Sequence, residues 1–133
     1  MRFMLIQTWG RGDADTTPIT DWSPEDVAAH IEFQQVLNDE LVALGELIDA
    51  QGLAGPDAAK FVVSDGESAP VVTDGPYSEF KELIAGYRIV DVETEERAIE
   101  IAARISASRG ANGAAIGHPV EVRQILTLEE ADT

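Results

Sequence analysis

The chain has 133 residues and a mass of 14.3 kDa, a length that suits one domain and buries roughly two-thirds of the surface its unfolded form would expose. Its 25 acidic against 9 basic residues give a formal charge of −16, which opposes approach to phosphate backbones and to anionic lipid surfaces, so neither direct nucleic-acid binding nor membrane attachment is expected. The absence of cysteine excludes disulfides, thiol catalysis and thiolate metal sites; the apolar stretch Phe3-Met4-Leu5-Ile6 is too short for a signal peptide, no run approaches the ~20 apolar residues of a membrane span, and the expected location is the cytoplasm.

Residues 2 to 8 form a compact apolar run that suits a central strand, and polar, glycine-containing residues 10 to 22 make a loop. The first helix is the best-signalled element, with Ser23 as N-cap, Pro24 at the first helical position, Glu25 and Asp26 in the first turn and Gly45 just past the end. At 100° per residue Val27, Ile31, Leu37, Leu41 and Leu44 fall on one side, which should lie on a sheet. Strands are expected over 46 to 53 and 60 to 64, and Asp65-Gly66 signals a hairpin into a short strand at 70 to 73. Residues 84 to 92 read as another strand, Glu95 to Ser106 as a second helix capped by Thr94, and about 120 to 126 as a final strand. A single domain over 1 to 127 and a frayed acidic tail over 128 to 133 are expected. The order β-α-β-β-(β)-β-α-β is met most simply by an α+β, ferredoxin-like split βαβ arrangement, with an antiparallel sheet, both helices on one face and an added hairpin. The sheet's other face would need a cover, which a second copy stacked on it supplies in a homodimer resembling an α/β barrel.

Several residues are candidates for chemistry. His30 falls near the middle of the first helix's inward side with Gln34 on the same stripe, so each needs a hydrogen-bond partner or a wet pocket opposite it. Satisfied core histidine and functional residue both fit that position. Asp74 ends the β-branched stretch Val71-Val72-Thr73 on a turn made by Gly75, which permits positive φ, and Pro76, which fixes its own. Its carboxylate would either cap local N–H groups or orient the His30 ring as an acid/base pair. Lys81, Arg88 and Arg123 are among the few cationic residues and could hold a carboxylate ligand, alongside Gln34, Gly75 and Pro76. No metal or cofactor is expected. Asp13-Ala14-Asp15 fails the EF-hand spacing, since the sixth position from Asp13 is Pro18 and the twelfth is Pro24. His118 reads as a loop residue, and the Gly110, Gly113 and Gly117 cluster leads into a strand and so lacks the helix N-terminus that binds phosphate.

The string Thr73-Asp74-Gly75-Pro76-Tyr77-Ser78-Glu79-Phe80-Lys81-Glu82, followed by Gly86-Tyr87, resembles the signature of the DGPF branch of the YCII-related family. Tyr77 stands where Phe is usual, Phe80 where Thr is common, Ala85 where Gly is common, and Gln124 where Pro is common. The early strand, the helix ending at Leu44-Gly45, the segment Gly86 to Val92 and the late Val120-Glu121-Val122-Arg123 extend the resemblance over nearly the whole chain. It implies a dimeric ferredoxin-like fold, a small-molecule pocket and, from relatives, a His-Asp dyad, for which His30 and Asp74 are the residues here. The dyad histidine of the family sits closer to the helix-ending glycine than His30 does to Gly45. The resemblance equally implies a non-enzymatic accessory dimer with a transcription-linked, sigma-factor-type partner. Cofactor-independent proton-transfer or lyase-type chemistry on a small polar organic ligand is thus one expectation, and a regulatory role the other.

Overall fold

A computed structural model of the chain describes residues 1–8, 21–75 and 84–131. Strand β1 (Arg2–Thr8), helix α1 (Pro24–Ala43), β2 (Leu47–Gly52), β3 (Lys60–Val63), β4 (Val71–Asp74), β5 (Ile84–Asp91), α2 (Glu95–Ser106) and β6 (Val120–Gln124) follow in order, with a last helical turn, α3, at Leu128–Ala131. The tail thus begins with a turn closed by reciprocal bonds, Glu130 N to Thr127 Oγ1 and Thr127 N to a Glu130 carboxylate oxygen. Four strands make one sheet in the order β2-β5-β1-β6, all pairs antiparallel, and β3 and β4 form a separate two-stranded ribbon. This is the ferredoxin-like α+β arrangement with an added hairpin.

Local chemistry sets the helix ends. Ser23 accepts from the Asp26 amide at α1, and Thr94 accepts from the Arg97 amide at α2. The end of α1 is a Schellman turn: Gly45 at φ +72° donates to the Val42 carbonyl, and Glu46 donates to that of Leu41. Glu46 then holds Arg97 at the start of α2 through both carboxylate oxygens, at 2.8 to 3.3 Å. This pair raises the Arg97 guanidinium well above its ordinary value.

The core lies between sheet and helices: Phe3 and Leu5 from β1, Val90 from β5 with Val92 beyond it, Leu37 and Leu41 from α1, and Ala98, Ile101, Ala102 and Ile105 from α2. Helix α2 matches its expected stripe. For α1 the expected side is only partly right, because Leu37 and Leu41 are buried whereas Ile31 and Leu44 are 49% and 64% exposed. The helix also carries apolar residues away from the sheet, at Val36 and Val42, and its inward stripe is completed by polar residues, so apolar spacing alone misplaces the centre of its packed face. Strand alternation sends Glu121 and Arg123 of β6 to the face away from the helices, since Val120 and Val122 pack on the core.

The ribbon is inserted between Gly52, where β2 ends, and Ile84, where β5 begins. Its turn is organised by Asp65, whose Oδ1 accepts from the amides of Glu67 and Ser68, both at 2.9 Å. These bonds to the ionised form lower its carboxyl from 3.8 to about 2. Val62, Val63, Val71 and Val72 are each roughly 60% exposed, so among the described residues neither face of the ribbon is covered at these positions.

Two outcomes are expected. Ile101→Ala removes a fully buried side chain and should lower the unfolding free energy by about 2–5 kcal/mol, read from denaturant titration. Because Asp65 has a folded value below its unfolded one, its stabilisation of the hairpin turn is complete above pH 3.8 and fades as pH falls toward about 2. Amide exchange at Glu67 and Ser68 should accelerate across that window, and Asp65→Asn should remove the pH dependence.

Candidate functional site

On the helix side of the sheet the inward residues change character along each strand. β1 presents Phe3, Leu5 and then Gln7; the antiparallel β5 places Val90 opposite Phe3, Arg88 opposite Leu5 and Gly86 opposite Gln7. The first pairs are core. The last opens a cavity of about 630 Å³, within the range of small-molecule sites, under α1 and the loop that follows α2. Ala50, Gly52 and Gly86 leave room on the sheet; a Cβ at Gly86 would come within 2.7 Å of the Gln51 carbonyl oxygen, so the strands' approach admits only glycine.

Arg88 is 3% exposed and its guanidinium is met by three amides. Nε donates to Asn38 Oδ1 at 2.8 Å, Nη1 to Gln7 Oε1 at 3.3 Å and Nη2 to Gln34 Oε1 at 2.5 Å. Burial pushes the guanidinium down to about 10, still cationic at neutral pH. Gln34 and His30 are one helical turn apart, which puts the Gln34 NH₂ 3.5 Å from His30 Nε2. The other ring nitrogen, Nδ1, lies 3.0 Å from the Arg109 carbonyl oxygen. A carbonyl only accepts, so Nδ1 carries the proton; a guanidinium only donates, so Gln34 turns its oxygen to Arg88 and its NH₂ to the ring. Both bonds select the Nδ1–H tautomer, in which the Nε2 lone pair accepts from the Gln34 NH₂. Trp22 meets the His30 ring edge-on, at 5.3 Å between centroids.

The expected site residues separate. His30, Gln34 and Arg88 share the cavity. Asp74 does not line it: its side chain is 79% exposed on β4 and pairs with Lys60 across the ribbon, so His30 and Asp74 are not hydrogen-bonded to each other. Gly75 sits beside it, and its amide donates to the Ala59 carbonyl at 2.8 Å. It has no positive φ; glycine is needed because a Cβ would lie 2.6 Å from the Phe61 ring. Arg123 is on the opposite face of the sheet, paired with Glu121 at 2.9 Å. Pro76 and Lys81 lie outside the described residues, as do Asp13 and Asp15. Sequence reasoning missed Trp22, Ser108 and His118, which reach the cavity from loops. The signal that marks the second loop is its glycine: a Cβ at Gly110 would crowd Ile116 at 2.9 Å and Trp22 at 3.0 Å, a close approach that only the assembled fold reveals. Among the described residues no cluster of His, Asp and Glu is placed to hold a metal ion, and no helix is long and apolar enough to cross a membrane.

Fold and cavity together define a ferredoxin-like α+β protein with a polar chamber between its first helix and its sheet. The family model for the YCII-related domain matches residues 1–120, and the chain belongs to that family. A search of the curated proteins finds no match.

The tautomer is open to direct measurement: with the imidazole neutral, long-range ¹H–¹⁵N correlation should show His30 protonated at Nδ1. An Nε2–H tautomer would contradict the Arg109 and Gln34 bonds. Asp74→Asn should leave those His30 signals in place and cost less than about 1 kcal/mol of stability, the usual size for an exposed ion pair.

Proposed function

We propose that the chain binds a small polar organic molecule in this cavity and that His30 serves as its acid/base group, without a metal or organic cofactor. The observation that carries the reading is the chain of bonds from Arg109 through His30 and Gln34 to Arg88, which fixes the ring's tautomer and keeps Nε2 an acceptor, held only by a long 3.5 Å bond from Gln34 that a ligand proton can replace, in a chamber of ligand size. Proton transfer at carbon next to a carbonyl, or the elimination it permits, is the reaction class that needs one positioned base and one positive charge to hold the developing oxyanion. Asp74 enters as an ion-pair partner of Lys60 across the ribbon, outside the residues that line the cavity. Its motif, Asp74-Gly75-Pro76, supports a position in the DGPF branch of the family, and the lack of cysteine fits action in the cytoplasm.

The ribbon favours a second element of the proposal, self-association. Four valines exposed on both faces of a two-stranded ribbon leave apolar surface that a homodimer would cover, and the same surface would serve a regulatory protein partner of the sigma-factor type.

Titrating carbonyl compounds into ¹⁵N-labelled protein should shift Gln34, Arg88 and Ser108 before any other amide, and bound ligand should exchange its carbon-bound hydrogen with D₂O. His30→Ala should keep the shifts and lose the exchange. Exchange undiminished in His30→Ala would remove His30 as the base, and shifts confined to the ribbon would favour the regulatory role. Sedimentation should give a dimer that Val62→Lys with Val72→Lys converts to monomer.

A further inference from the structure

We propose that the cavity takes an organic carboxylate with an apolar body and that Arg88 receives its charge; this rests on the reading of the cavity as a ligand site and specifies the ligand's class. A buried guanidinium normally faces a carboxylate, because amides solvate a cation but leave its charge uncompensated. Here every partner of Arg88 among the described residues is a neutral amide. No Asp or Glu is among the described residues that line the cavity, although 25 of the 133 residues are acidic and both histidines line it. In a chain of charge −16, no described carboxylate bonds to its one deeply buried described cation, and the place of the counter-ion is left open among the described residues.

Donor geometry narrows the class. Three of the five guanidinium N–H groups are used, one on each nitrogen, which leaves one on Nη1 and one on Nη2, the number a carboxylate accepts in bidentate fashion. Ser108 supplies a second point: it is 1% exposed, lines the cavity, and its hydroxyl has no partner among the described residues, so it is a buried donor awaiting an acceptor. An apolar part of the wall, from Trp22, Leu53, Ile105 and Ile116, receives the body of the molecule. One cation with two free donors beside an apolar wall fits a monoanion better than a phosphate dianion, which needs more donors to replace its hydration. The same placement brings the carbon next to the carboxylate toward His30, since Gln34 touches both residues.

The test compares matched acid and amide probes on the full chain: benzoate with benzamide, and phenylacetate with phenylacetamide, by NMR titration and calorimetry. The acids should bind at least about tenfold more tightly than the amides, with shifts at Gln34, Arg88 and Ser108, and Arg88→Lys, which keeps the charge and loses the bidentate pair, should weaken the preference while the neutral probes bind as before. Equal affinity for acid and amide would overturn the charge assignment and leave the ligand site standing. No perturbation of cavity residues by any probe would remove both, and acid binding that maps to Arg123 on the opposite face would overturn the assignment to Arg88. If Arg88→Lys does not fold, the acid and amide comparison on the native chain decides alone.

Discussion

A guanidinium cannot sit between a helix and a sheet without replacing the water it has lost, and Arg88 shows how far that requirement reaches into the sequence. It stands on a central strand opposite Leu5, at the boundary where the inward face stops being apolar. Its donors fix what surrounds it: an amide at Asn38 and another at Gln34, one turn apart on α1, and a third at Gln7, next inward from Leu5 on β1. Gln34, with its oxygen committed to the cation, has its NH₂ left for His30, and the Arg109 carbonyl completes the ring's environment. Strands β5 and β1 and helix α1 are thereby joined at a single charge, and the loop at Arg109 is tied in through His30. The polar residues of α1's inward stripe are the solvation shell of Arg88 and the first layer of the cavity at once.

Much of the architecture could be read from the residues because the signals were local. Ser23 and Thr94 cap helices whose starts they announce, Gly45 takes the positive φ that ends α1, and the alternation along β5 and β6 gives both strands their faces. The site was less legible. His30 and Gln34 were visible as polar residues on an inward stripe, and Arg88 as a cation on a strand, yet nothing in their spacing says that one amide joins them; that follows from packing α1 across β5. Asp74 was ambiguous for the opposite reason. A carboxylate before Gly-Pro is equally what a catalytic turn and a ribbon closure require, and its partner, Lys60, comes from a strand whose register only the folded ribbon defines. The requirement for Gly75 was right in residue and different in cause, since the Phe61 ring and not the backbone dihedral excludes a side chain.

Membership of the YCII-related family accounts for the frame and leaves the contents of the cavity to this chain's own residues. The match spans β1, β2, β5 and both long helices and ends where β6 begins, whereas the chemistry proposed depends on a handful of side chains at one end of the layer between sheet and helices. Loop residues Trp22, Ser108 and His118 complete that end, which is why scanning the regular elements for motifs finds only half of the chamber.

The division of the helix–sheet layer has a consequence for how such a protein can change over generations. Phe3, Leu5, Leu41, Val90 and Ile101 at one end keep the fold stable, while Gln7, Ala50, Gly52 and Gly86 at the other leave space and contribute little apolar burial. Substitutions at the open end can therefore reshape the chamber without drawing on the packing that sustains the sheet, with Arg88 as the one position tied to both. A lineage built on this frame can diversify its ligands by drift at the roomy end alone, and inherits its stability unchanged from the other.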